Sequence, residues 1–192
     1  MKKLALTDFT KYRYPSALEL SPDGRYLTFA LKEVDREGDG YRWNLWLYDL
    51  ESRESRQITR GDDQRQAVWE DNTHILYKTT ELDEAMRARG FEEEWTVYHR
   101  LNVCTGEECE AFRLPMSVSG LWKMDEGRYV FTGETHLDRP NLLELTGEAL
   151  EKELVRRQQT KGYKVLTELP LCENGVGMFN QTRNTLFLYL EA

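Results

Sequence analysis

The chain has 192 residues, of which 40% are hydrophobic and 11% aromatic, and its formal net charge at pH 7 is −8. This apolar content supports one folded domain with a core and argues against intrinsic disorder. The acidic balance argues against nucleic acids and anionic membranes as partners, because both require clustered basic side chains. No apolar run reaches the length of a membrane span, and residues 1–15 lack the apolar core of a signal peptide, so we expect a cytoplasmic protein.

Residues 16–60 carry four short strand signals separated by turns. In the first turn, Ser21-Pro22-Asp23-Gly24, Pro presets φ, Asp can bond its own backbone and Gly accepts a positive φ. The predicted strands are 16–20, 26–31, 43–48 and 55–59, with a charged loop at 33–42. Four antiparallel strands in about 45 residues match the size of one propeller blade.

The segment 43–48 has large apolar groups on both faces of the predicted strand. A sheet with one face in water would alternate apolar and polar residues more cleanly. This strand therefore needs neighbours on both sides, which stacked blades supply. By itself the segment fits a buried strand of a β-sandwich equally well.

A threefold repeat favours the propeller. A large apolar residue, an Asp-containing turn ending in Gly or Asn, and an aromatic or aliphatic strand recur together, with the turns ending at Gly24, Asn72 and Gly127. A period near 50 residues with four strands per period is typical of propeller arrays. We predict an all-β fold, an incomplete β-propeller of about three four-stranded blades, with approximate bounds 16–60, 65–115 and 117–192.

Blades two and three contain the remaining predicted elements. Predicted strands lie at 67–69, 74–79, 95–103 and 110–114 in blade two, and at 118–122, 128–133 and 185–190 in blade three. A short helix is predicted at 81–89, and segments 165–172 and 176–179 form a predicted hairpin around Asn174-Gly175.

A second helix is predicted within 141–160, inside a long insertion at 134–184. Its apolar stripe and its charged side are each defined by five residues. The stripe comprises Leu143, Leu145, Leu150, Leu154 and Val155, and the charged side Glu148, Glu151, Lys152, Arg156 and Arg157.

Two expectations follow from this layout. The long connections 33–42, 79–94 and 134–184 all join a second strand to a third, so they emerge at one end of the blades, which we expect to be the functional face. Blade three has no predicted fourth strand, and three blades cannot close a ring. We therefore expect the front part of a longer protein, and self-association through the apolar edge strand 185–190.

The cysteines give no metal or disulfide prediction. Cys104 and Cys109 flank a turn and could face each other across a hairpin, but without an export signal a disulfide is disfavoured. A single CxxxxC pair is a poor metal site. Cys172 is expected to be a small buried hydrophobe.

No residue is predicted to be catalytic, to bind a cofactor or to ligate a metal. The chain has no G-x-S-x-G motif; His74 and His99 lie in predicted strands, where structural roles are expected, and His136 has no visible Ser or Asp partner. Residues 35–40 have a faint similarity to a calcium loop, but position twelve is Trp46 instead of Glu, so a solvated turn is expected.

The strings SPDGRYLTF at 21–29 and NLWLYDLESRESRQIT at 44–59 resemble the propeller repeats of TolB-like proteins and of prolyl oligopeptidase-family serine peptidases. Residues 168–179 and 183–189 resemble the acylaminoacyl-peptidase-like branch, where a similar insertion ends in a Pro-aromatic-x-Asn-Gly hairpin before the next strand. This chain differs in having Leu171-Cys172 where an aromatic pair is usual.

The resemblance implies a non-catalytic, substrate-gating propeller segment of a cytosolic serine peptidase, with peptides as substrates and the catalytic α/β-hydrolase domain absent from this chain. Two alternatives remain open at this point. One is a TolB-like propeller that binds another protein and has no peptidase domain. The other is an enzyme with chemistry at a central channel, which the mostly apolar first strands 17–20, 67–69 and 118–122 disfavour.

Overall fold

The computed structural model describes residues 5, 7–35, 37–79, 95–114, 116–125, 127–136, 139–141, 144–160, 172–173, 177–178 and 182–191. The chain divides into two compact units. The first comprises Met1–Thr80 with Val97–Arg113, and the second comprises Glu81–Thr96 with Leu114–Ala192.

Blade one is a four-stranded antiparallel sheet preceded by a 3-10 helix at Asp8–Lys11. Its strands, in spatial as well as chain order, are β1 (Tyr14–Leu20), β2 (Tyr26–Asp35), β3 (Gly40–Asp49) and β4 (Glu54–Gln57). All four strands predicted for this region are confirmed, with bounds that differ by a few residues.

The predicted charged loop at 33–42 is wrong. Strands β2 and β3 stay paired as far as Asp35 opposite Gly40, so only a tight turn joins them. Within this extension Arg42 of β3 forms an ion pair with Asp35 of β2 at 2.6 Å, and opposite charges across an antiparallel pair stabilise the sheet. The charges that suggested a loop therefore support a longer hairpin.

Blade two is a second four-stranded antiparallel sheet with its strands again in chain order. The strands are β5 (Ala67–Trp69), β6 (His74–Thr79), β7 (Thr96–Asn102) and β8 (Glu108–Leu114). Strands β5 and β6 have the bounds that the sequence predicts. The predicted helix at 81–89 lies outside the described residues.

The core of the first unit is built from facing sides of blades one and two. Ala30, Leu45 and Leu47 of blade one form a cluster with apolar residues of blade two. The blade-two members of this cluster are Ala67, Trp69, Ile75, Tyr77, Leu101 and Val103. Stacking of one blade face on the next therefore buries the apolar side chains that a single sheet would leave in water.

Blade three has three described strands, β9 (Val118–Asp125), β10 (Arg128–His136) and β13 (Thr182–Leu190). They pair in the order β13-β10-β9. The two-residue strands β11 (Cys172–Glu173) and β12 (Gly177–Met178) pair antiparallel around the predicted Asn-Gly turn; the rest of that hairpin lies outside the described residues. The all-β, incomplete-propeller fold that the sequence predicts is confirmed.

The helix in the insertion, α1 (Gly147–Thr160), begins later than the predicted segment. Leu154 is buried, with Leu145 and Leu150 packed against it. Val155 is exposed, so its assignment to the apolar stripe is wrong, because one further residue turns the helix by about 100°. Leu143 lies outside the described residues.

Three backbone hydrogen bonds identify equivalent positions in the blades. The backbone N–H of the residue after each third strand donates to the carbonyl of the residue directly before the second strand. The bonds run from Leu50 to Arg25 (3.0 Å), from Val103 to Thr73 (2.8 Å) and from Glu191 to Gly127 (2.8 Å). The sequence repeat predicts that Gly127 is equivalent to Gly24 and Asn72, and this prediction is wrong by one residue, because Gly127 is equivalent to Arg25 and Thr73. The turn of blade three is tighter, because β9 and β10 pair as far as Asp125 opposite Arg128.

Within the part of the chain that the structure describes, no helix combines the length and the apolar character that crossing a membrane requires.

Candidate functional site

The end of blade one where β2 connects to β3 carries an aromatic–cation cluster, formed by Tyr14, Lys32, Tyr41, Trp43 and Arg65. The Lys32 ammonium lies 3.7 Å from the ring centroid of Tyr41 and 5.2 Å from that of Trp43. The Arg65 guanidinium lies over the Trp43 ring, 4.2 Å from its centroid. Each such contact at an exposed site stabilises by about 0.5–1 kcal/mol.

Strand register explains why these side chains meet. Tyr14 pairs with Lys32 across β1 and β2, and Lys32 pairs with Trp43 across β2 and β3. Paired residues share a face of the sheet, so the three form a row across three strands. Tyr41, two residues before Trp43, lies on the same face and its ring is tilted against Trp43 at 5.8 Å.

The linker after blade one holds Arg65 in place. The Trp43 N–H donates to the Asp62 carbonyl and the Gln64 N–H donates to the Trp43 carbonyl, each at 2.9 Å. The Asn44 side chain donates to the Asp62 carboxylate at 2.9 Å. The linker therefore runs beside β3 as an extra bridged segment, which positions the Arg65 guanidinium over the indole.

Beyond the cluster, Asp35 caps the β2–β3 turn. Its carboxylate accepts from Arg42 at 2.6 Å and from the Glu37 N–H at 3.1 Å. The Arg42 side chain and the turn amides together lower the pKa of Asp35 to about 2. Residues 35–40 thus form a hydrogen-bonded turn, and Asp35 is held by cationic and amide donors.

The cluster was not predicted from the sequence, because the charges of 33–42 indicate a loop there. Tyr41 lies within that segment and Lys32 directly before it. A loop has no β2–β3 strand register, and it is this register that brings the two side chains together. The alternation of aromatic residues at positions 41 and 43, read as a strand, is the signal that points to it. Tyr14 and Tyr41 are both about half exposed, so the cluster is accessible to a partner.

His99 lies in a small polar cluster on blade two. Its Nδ1 is 2.7 Å from Glu108 Oε1, and the Tyr77 hydroxyl donates to the same oxygen at 2.6 Å. A carboxylate that orients an imidazole is two thirds of a catalytic triad. In the described ranges, His99 has no hydrogen bond to a serine hydroxyl or a cysteine thiol. Through Glu108 the two contacts connect side chains of β6, β7 and β8.

His74 belongs to the turn of blade two. Its Nδ1 is 2.9 Å from Asp71, and its Nε2 is 3.1 Å from the Asn102 side chain. Partial burial raises the pKa of Asp71, but the Thr73 N–H and the side chain and N–H of His74 lower it to about 2. Of His136, only the backbone in β10 is described.

Cys104 and Cys109 are both exposed free thiols, and the Cys104 thiol lies 3.8 Å from the Tyr26 hydroxyl. Cys172 lies in β11, where its side chain is outside the described parts of the structure. Among the residues that the structure describes, no group of three or more His, Cys, Asp or Glu side chains could hold a metal ion.

The insertion of blade three leaves the sheet at the corresponding end. Strands β10 and β13 pair as far as His136 opposite Thr182, beyond the predicted 134–184 limits. Within the insertion, buried Glu153 accepts from Arg156 at 2.7 Å and from Arg157 at 2.9 Å. Arg157 also donates to the Pro140 carbonyl at 2.7 Å, so its assignment to the charged outer side is wrong.

No protein-family model and no curated protein matches the sequence. Solved structures do match. An acylaminoacyl peptidase from Pyrococcus horikoshii aligns over 96% of this chain with a TM-score of 0.63 and 13% identity. An acylaminoacyl peptidase in complex with Z-Gly-Gly-Phe-chloromethyl ketone aligns over 95% with a TM-score of 0.62 and 12% identity. The AtxE2 isopeptidase aligns over 89% with a TM-score of 0.53 and 14% identity.

These similarities confirm that the fold of the chain resembles part of the acylaminoacyl peptidase structures, as the sequence resemblance predicts. The chain spans about a quarter of the length of the acylaminoacyl peptidases that it matches, since it covers 24% of each. The AtxE2 isopeptidase is covered to a similar extent, 26% of its chain.

Proposed function

We propose that this chain is the non-catalytic, substrate-gating propeller segment of a cytosolic serine peptidase that acts on peptides. The observation that carries the proposal is the alignment of 96% of the chain with an acylaminoacyl peptidase at a TM-score of 0.63. A shared fold does not establish a shared function, so the proposal is tested on the native protein in its own cells.

The aromatic–cation cluster is the surface that we assign to peptide contact. Tyr14 and Tyr41 offer exposed rings for apolar side chains, and Lys32 offers an ammonium close to the Tyr41 ring. A peptide combines apolar groups with carbonyl and carboxylate oxygens, and aromatic residues beside a cation can accept both. In this proposal the propeller sorts substrates and supplies no catalytic residue.

The peptidase claim is tested in the native cells. An antibody raised against this chain is used to precipitate the native gene product, which is then treated with a fluorophosphonate probe for activated serines. We expect a labelled polypeptide several times heavier than 22.7 kDa. An unlabelled precipitate would contradict the proposal and would favour the TolB-like interaction module.

The peptide-contact assignment is tested separately with the purified chain. The tryptophan fluorescence of the chain, to which Trp43 of the cluster contributes, is followed during titration with an N-acetylated tripeptide, for the wild type and for Tyr41→Ser. We expect saturable quenching that the substitution weakens several-fold. Tyr12→Ser, which changes another exposed tyrosine outside the cluster, is the matched control and is expected to bind normally.

A further inference from the structure

One cation of the aromatic–cation cluster has no carboxylate partner among the residues that the structure describes. The Lys32 ammonium lies 3.7 Å from the Tyr41 ring centroid and 5.2 Å from that of Trp43, and it forms no ion pair with a described acid. The Arg65 guanidinium, by contrast, donates to the Asp63 carboxylate at 2.8 Å. An ammonium has three donors, and ring contacts do not use all of them. Lys32 can therefore bind an anionic group of a ligand.

Strand alternation separates Lys32 from the acids that follow it in the sequence. Successive residues of a strand point to opposite faces, so Glu33 and Asp35 lie on the other face of β2. Glu33 pairs there with Arg13 at 2.5 Å, and Asp35 pairs with Arg42 at 2.6 Å. These two acids are therefore bound to other cations, and neither compensates the charge of Lys32.

The cluster lies on the face of blade one that blade two covers. Ala30, two residues before Lys32 and on the same face of β2, is fully buried in the core that blades one and two share. The neighbouring blade on this face is therefore present in the structure, and β2 and β3 extend past the part that it buries. Tyr14 and Tyr41 are about half exposed there. The cluster is thus an accessible surface beside the contact between the two blades.

We propose that Lys32 binds the C-terminal carboxylate of a peptide whose last residue is apolar, while the Tyr41 ring contacts the side chain of that residue. This inference rests on the peptide contact already proposed for the cluster. The ammonium and the ring centroid are only 3.7 Å apart, and a C-terminal residue carries its carboxylate and its side chain on one Cα, so both groups can reach this short span. In an extended peptide, an internal Asp or Glu and the apolar residue next to it point to opposite sides, so that pair fits the span poorly.

The net charge of the chain works against anionic ligands. Its formal value at pH 7 is −8, so the overall field favours an uncharged peptide amide over the same peptide as the free acid. A preference for the acid must then come from a cation at the binding surface, because salt screens the distant charges more than a contact pair. Comparison of the acid and amide forms of one peptide therefore reports on the local contact.

Isothermal titration calorimetry of the purified chain provides the test. The ligands are N-acetyl-Ala-Ala-Phe, its C-terminal amide, and the amide of N-acetyl-Glu-Ala-Phe, whose carboxylate is internal. We expect the free acid to bind about 5-fold more tightly than either amide. Equal binding of the acid and its amide, or an internal-Glu amide that matches the acid, would overturn the proposal and leave the peptide contact intact. Binding of none of the three would overturn the peptide contact as well.

Substitutions at Lys32 assign the preference to this residue. Lys32→Met removes the charge but keeps an unbranched side chain, so its affinities for the acid and the amide should become equal. Lys32→Arg keeps the charge and should retain the preference for the acid. Lys152→Met on α1 changes the net charge by the same amount outside the cluster and should behave like the wild type. Circular dichroism melts establish that the variants are folded. A preference that persists in Lys32→Met, or that disappears in Lys152→Met, would overturn the proposal.

Discussion

The indole Nε1 of Trp69 donates a hydrogen bond to the backbone carbonyl of Glu19 at 3.2 Å, which links the first strands of blades one and two. The same carbonyl accepts from the Thr28 hydroxyl at 3.2 Å. A β-bulge between Ser16 and Glu19 sets the register of β1 at this point. One carbonyl therefore receives a donor from its own blade and another from the following blade.

Loss of the indole donor should destabilise the chain. Trp69→Phe keeps an aromatic ring in the shared core but leaves the Glu19 carbonyl with one donor fewer, so we expect about 1–2 kcal/mol lower free energy of unfolding. Urea denaturation followed by circular dichroism measures the change. Trp122→Phe removes an indole from an exposed position of blade three and should cost less than about 0.5 kcal/mol. Equal losses for both variants would contradict this role of the Trp69 hydrogen bond.

The repeat supplies a matched pair of leucines. Leu45→Ala removes a fully buried side chain from the shared core and should cost about 2–5 kcal/mol. Leu186→Ala removes the equivalent exposed side chain and should change monomer stability by less than about 0.5 kcal/mol. Both variants are measured by urea denaturation at low protein concentration. A large cost for Leu186→Ala there would show that its face is covered within the monomer.

Buried Glu153 should stabilise α1 through its two arginines. Hydrogen bonds from Arg156 lower the pKa of Glu153, burial raises it, and Arg157 lowers it again, so the carboxylate is favoured in the folded state. Glu153→Gln weakens two charge-assisted hydrogen bonds and should cost about 1.5–3 kcal/mol. Thermal melts followed by the helical circular dichroism signal measure this. Glu148→Gln on the exposed side of the same helix is the control, with little expected effect.

Asp71 should make the free energy of unfolding of the chain decrease at acid pH. Its pKa in the folded protein is about 2, below the value near 3.9 of an unfolded chain, so its contribution is present above about pH 4 and is lost as pH falls towards 2. Urea midpoints measured between about pH 5 and 2 should therefore fall less steeply in Asp71→Asn than in the wild type. Identical slopes in the two proteins would contradict this prediction.

The sequence by itself determined the architecture. The Ser21-Pro22-Asp23-Gly24 turn, the repeat spacing and the aromatic strands predicted three blades and placed β5 and β6 at their observed bounds. These are local signals, since turn chemistry and a two-residue alternation can be followed along the chain without knowing what packs on each face.

Only the tertiary structure decided which face of each strand is covered. Trp69 and Trp122 occupy the same place in the sequence repeat, yet one is buried and the other half exposed. The tighter turn of blade three shifts the pairing by one residue, and such a shift moves every side chain to the opposite face. The aromatic–cation cluster has the same origin, because Lys32 and Tyr41 meet only when β2 and β3 pair through the segment whose charges suggest a loop.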